Sequence, residues 1–133
     1  MIPQKNHQNH KDFETKRRLF LQKDLLNLLE WMEYIEYIHH EICTLARIEN
    51  QLIKKETIAN KIKGFRRKNT LTLSVFCKYE QEIKTDLEYS HTDYDLHRTK
   101  EHEKQRAVFL NLVKEYKILK QEIYDQLLQF KRT

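Results

Sequence analysis

Two Glu-x-x-His spacings, Glu36 with His39 and Glu88 with His91, place a carboxylate and an imidazole one helical turn apart, as carboxylate-bridged di-metal sites do inside helical bundles. The segment around the second pair adds Asp93, Asp95, His97, Glu101 and His102, but Arg98, Lys100 and Lys104 are interleaved and would repel a cation. With fourteen Glu and seven His in the chain, roughly one such spacing arises by chance, so the pairs are read as water-facing polar stretches with no metal and no cofactor. A denser feature is the basic run Lys61, Lys63, Arg66, Arg67 and Lys68 around Phe65. Such a cluster can hold phosphate oxygens of nucleic acid or of an anionic membrane; the plainer reading is a solvated turn.

His40-Glu41-Ile42-Cys43-Thr44-Leu45 resembles the phosphoacceptor box of sensor histidine kinases, in which a His followed by an acid and then a Thr lies on the first helix of a dimeric hairpin. The resemblance implies His40 as phosphate acceptor and Glu41 as its base. It covers six residues, and no Gly-rich ATP-binding segment accompanies it. Nor does the chain carry a nucleophile elbow or an HExxH box, and with a single glycine it lacks the loops most enzymes use to bind nucleotides. The expectation is a protein that is not an enzyme and takes no small-molecule substrate.

These residues have to be positioned by helices. The only proline is Pro3 and the only glycine is Gly64, so the chain has few ways to turn tightly. Residues 1–10 read as a disordered tail. Apolar residues at three-and-four spacing (Leu21, Leu25, Leu28, Met32, Ile35, Ile38, Ile42, Leu45, Leu52, Ile58, Ile62) predict one helix over 11–63, with a slipped seam between Ile35 and Ile38. Gly64 has the chemistry of a helix-terminating residue and Asn69 or Thr70 that of a cap, which predicts a turn over 64–69. A second helix follows over 70–131, taking in the strand-like Thr70–Phe76 and kinking near 90, where Ser90 and Asp93 have capping-box spacing. The predicted fold is all-α: a single helical domain over 11–133, folded as a long antiparallel coiled-coil-like hairpin, or bent near His39 and Ser90 into a four-helix bundle, or completing one by dimerisation.

Folded about Gly64, the broad apolar face from Leu19 to Ile38 lies opposite the polar stretch Tyr94–Leu112, and one partner helix cannot cover it. That mismatch predicts a homodimer with Leu28, Trp31, Met32, Tyr34, Ile35 and Tyr37 at its interface. The net charge of +5 is distributed in blocks, +7 over 54–78 between blocks of −5 on either side, which gives the hairpin a basic tip and an acidic waist. No long uninterrupted apolar run exists, and Met1–His10 is polar, so the chain is expected in the cytoplasm with Cys43 and Cys77 reduced. The function expected is a self-associating scaffold or regulatory adaptor for another protein. The alternative is a nucleic-acid or anionic-membrane module acting through the basic tip, with a metal or phosphorelay bundle as a remote third.

Overall fold

The computed structural model describes residues 2–89 and 96–130, with side chains from Asp12 onward. Three α-helices account for nearly all of it: α1 (Ile2–Ile48), α2 (Glu56–Tyr89) and α3 (Leu96–Leu128), with a π-helical turn over Glu49–Ile53 joining the first two. At 1.5 Å per residue, α2 and α3 are each about 50 Å long and α1 about 70 Å. Contacts fix their directions. Asn69 of α2 bonds to Ile35 of α1, and Arg17 to Asp86, so α1 and α2 run antiparallel. Tyr79 meets His102 and Lys61 meets Glu122, so α2 and α3 are antiparallel as well. Glu41 meets Tyr116 and Asn27 meets His102, which makes α1 and α3 parallel.

The buried residues of all three helices follow one rule, alternating steps of three and four. In α1 the sequence is Arg17, Leu21, Asp24, Leu28, Trp31, Ile35, Ile38, Ile42 and Leu45, continued by Glu49 of the π-helical turn. In α2 it is Ile58, Ile62, Phe65, Asn69, Thr72, Phe76, Tyr79 and Ile83, and in α3 it is His102, Gln105, half-buried Phe109, Leu112, Tyr116, Leu119 and Ile123. These are the a and d positions of unbroken heptads, the pattern that winds helices into a left-handed coiled coil. Asn69 occupies an a position, 2% exposed, with Nδ2 donating to the Ile35 carbonyl at 3.2 Å and Oδ1 without a partner. It costs stability and ties α2 to one register on α1.

The chain turns where no glycine or proline stands. Lys54 takes a left-handed conformation (φ 54°) and donates its backbone N–H to the Glu49 carbonyl at 2.7 Å, closing the π-helical turn. The Glu49 side chain, 6% exposed, then accepts the Lys55 N–H at 2.8 Å. The Lys55 carbonyl accepts from Ile58 and Ala59, so a buried carboxylate sits at the N-terminus of α2, where the helix dipole favours negative charge. At the far end, Arg17 and Arg18 donate to the Asp86 and Leu87 carbonyls, which lack partners within α2.

Several expectations are corrected. The turn over 64–69 is continuous helix: Gly64 lies well inside α2, its missing Cβ facing open space, because glycine inside a helix costs only about 1 kcal/mol and tertiary packing overrides it. The helices expected over 11–63 and 70–131, and the two-helix hairpin built from them, give way to three helices among the described residues. The slipped seam near His39 does not exist: the heptad passes through Asp24 and Trp31 rather than Leu25 and Met32. The helix α1 begins at Ile2, within the segment expected as a tail. The kink expected near 90 falls at residues 90–95, outside the described residues; α2 ends at Tyr89 and α3 begins at Leu96.

Moving the turn from Gly64 to Lys54 makes opposite demands on two residues. Gly64→Ala should raise stability by about 0.5–1 kcal/mol through helix propensity. Lys54→Gly should also stabilise, by relieving a left-handed lysine that costs about 1 kcal/mol. Urea midpoints measure both; a lowered midpoint for Gly64→Ala would return the turn to residue 64.

Candidate functional site

The half of the bundle nearest the α2–α3 connection carries its chemistry inside. His102 is 3% exposed at an a position of α3. Its Nδ1 stands 2.8 Å from the Tyr79 hydroxyl and its Nε2 stands 3.2 Å from Asn27 Oδ1, an atom that also accepts from Arg106 at 3.2 Å. These partners assign the tautomer: Tyr79 donates to Nδ1 and Nε2–H donates to Asn27, which satisfies a neutral ring on both sides. Burial lowers the His102 pKa below its ordinary value. Asp24, 3.5 Å from Nε2, opposes that shift, and the Arg106 charge reinforces it. Trp31 covers the ring, stacked at 5.1 Å on His102 and at 5.6 Å on Phe109, with the Arg106 guanidinium 5.4 Å above its own face.

Two heptads further along, Glu41 joins α1 to α3. Its carboxylate accepts from Tyr37 at 2.7 Å, from the Tyr116 hydroxyl and from Lys120 Nζ at 2.6 Å. Partial burial pushes its pKa upward, but the Lys120, Tyr116 and Tyr37 hydrogen bonds outweigh this and hold the group down at about 2. Tyr116 is raised far above the ordinary tyrosine range, first by burial and then by Glu41. A carboxylate this acidic and this fully engaged is a poor base for the neighbouring His40, which is exposed on the outer side of α1. Glu36 and His39 border a shallow groove between α1 and α2 with His40 and Asn69. Their proposed companion His91 lies outside the described residues, and among those residues no three His, Cys, Asp or Glu side chains converge as metal ligands.

The residues expected at a dimer interface are mostly interior to one chain. Leu28, Trp31 and Ile35 are buried, Met32 and Tyr34 pack half-buried against the same core, and Tyr37 is exposed. The helix α3 covers the face that two helices could not. The basic run lies within α2 rather than at a chain reversal, and it is divided. Lys61 and Lys68 pair with Glu122 at 2.8 Å and Glu115 at 2.6 Å on α3, whereas Lys63, Arg66 and Arg67 are exposed elsewhere on the helix. Reasoning from sequence missed Asp24, Asn27, Tyr79 and His102 as a group; the signal was the polar side chains Asp24, Tyr79 and His102 at a and d positions, readable once the heptad is phased through Trp31, with Asn27 flanking it.

No protein-family model matches this chain, and comparisons with curated proteins and with solved structures likewise gave no significant match.

Two outcomes follow from the buried groups. Glu41 is depressed on folding, so its stabilisation is present in full above its unfolded pKa of about 4.3 and is lost as pH falls toward about 2. Thermal melts across that window should show Glu41→Gln losing less stability than wild type on acidification. Tyr79→Phe removes the donor to a buried imidazole nitrogen and should cost about 1–3 kcal/mol, measured by chemical denaturation. A neutral effect would mean that Nδ1 has another partner.

Proposed function

We propose that this protein is a non-catalytic helical interaction module that self-associates through the outer groove between α2 and α3. One observation carries the reading. Gly64 stands at a surface position of α2 beside that seam, and its missing side chain opens a notch floored by Phe65 and Leu119 and walled by Ile118. The Lys61–Glu122 and Lys68–Glu115 ion pairs rim it on either side. One heptad past Lys68 and one before Glu115, the same flanking positions hold Val75 and Val108, and Leu71 lies between; with Ile118, these side chains are between 39% and 59% exposed.

An apolar strip edged by charges of both signs is complementary to itself when a second copy is turned end for end, which favours a homodimer over a partner of one charge. The titratable groups inside the bundle support the non-catalytic part. Arg17, Glu41, Glu49 and His102 are all engaged between helices or at helix ends, so none faces an open site. Among the described residues, no helix is long and apolar enough to cross a membrane.

Sedimentation equilibrium tests the reading. Wild type should reach the dimer mass in the micromolar range. Leu71→Glu with Ile118→Glu should shift it to monomer, weakening association by at least about 3 kcal/mol, more than a hundredfold, without loss of helicity. Wild-type protein that stays monomeric at high micromolar concentration would sink the proposal.

A further inference from the structure

The face of α2 turned to α1 differs from the one that pairs with α3. Arg66 lies on it, and its Nη2 donates to Cys43 Sγ at 3.7 Å, a weak acceptor that leaves the charge uncompensated. Across the same groove stands Arg47 of α1, with Thr44, Asn50 and Gln51 beside it. Lys63 and Arg67 are exposed next to Arg66 along α2. Among the described residues no carboxylate pairs with Arg47, Lys63, Arg66 or Arg67. Glu49, the acid nearest in sequence to Arg47, is turned inward as the cap of α2, and Glu56 is the one acid between 54 and 78. Two arginines from different helices therefore border a groove that also offers hydroxyl and amide donors, the equipment for gripping phosphate oxygens.

We propose that this α1/α2 groove, beside the interhelical turn, binds the phosphate backbone of a nucleic-acid duplex, with Arg47 and Arg66 as its two walls and Lys63 and Arg67 reaching adjacent phosphates. The lining chooses among polyanions. It lacks the Leu, Phe or Trp side chains that an interfacial membrane helix inserts among lipids. It also lacks the aromatic platforms on which single-stranded bases stack. What remains is sequence-independent contact with a double-stranded backbone. The site is on a different side of α2 from the Gly64 notch, so its fate is independent of the self-association reading.

The test is fluorescence anisotropy of the full chain with a short labelled DNA duplex at low and moderate salt. Arg47→Gln with Arg66→Gln should weaken binding at least tenfold and reduce the slope of log K against log salt by about two, one unit for each phosphate that is no longer neutralised. Lys63→Gln with Arg67→Gln should act in the same direction. Lys104→Gln with Lys114→Gln removes as much positive charge from exposed positions of α3, which does not border the groove, and should leave affinity within about twofold by that counterion argument. Circular dichroism must show unchanged helicity in each variant. Wild type failing to bind the duplex, equal losses in all three variants, or binding confined to phosphatidylserine vesicles or single strands would each overturn the proposal.

Discussion

A neutral histidine buried among helices must find one donor and one acceptor, and His102 finds them on the two helices other than its own. Tyr79 comes from α2 and Asn27 from α1. Sliding any helix by one heptad would break a hydrogen bond on a ring that water cannot reach, and an unmet buried polar group costs more than most single apolar contacts contribute. Hydrophobic heptads alone tolerate shifts of register; this ring does not. The stacking of Trp31 against it, and of Phe109 against Trp31, gathers the aromatic part of the core around the same point.

The core is graded along its length. Near the π-helical turn the buried side chains are mostly aliphatic, Ile42, Leu45, Ile58, Ile62, Leu119 and Ile123, with Glu49 a buried polar residue at the turn itself. Toward the α2–α3 connection polar residues join the apolar ones in the core: Arg17, Asp24 and His102 are engaged by neighbouring side chains or helix carbonyls, and Gln105 donates to Glu101 while its Oε1 has no partner among the described residues. Apolar burial supplies stability without specifying partners, whereas the polar end specifies partners at a cost in stability. Local opening therefore starts most cheaply at the polar end, and α3 gives up less apolar area there than at its C-terminal half.

The all-helical character was legible in the sequence, because a chain with one glycine, one proline and continuous three-and-four apolar spacing has no other way to satisfy its backbone. The number of helices was not. Gly64 carried the stronger turn signal, yet the real reversal is made by Lys54, whose left-handed backbone is held by Glu49 on both sides of the bend. Nothing in a Lys-Lys dipeptide announces this. The heptad of α1 was hidden for a related reason: Asp24 sits where a leucine is expected and Leu25 beside it takes the eye, so the register was phased one residue late. The basic run was visible as composition, but its division into α3-paired lysines and unpaired arginines depends on which helix lies on each side, and that knowledge follows from the turn.

Trp31 is the chain's single tryptophan, and all of its ring neighbours are informative: Phe76 on α2, and His102, Phe109 and Arg106 on α3. Its emission thus reports on one place only, the point where the three helices converge. A protonated imidazole quenches indole more strongly than a neutral one, and water red-shifts its spectrum once the stack is lost. Intensity and wavelength are therefore separable channels, the first for the ionisation of His102 and the second for the seating of α3, so the molecule carries a native optical gauge of its own assembly.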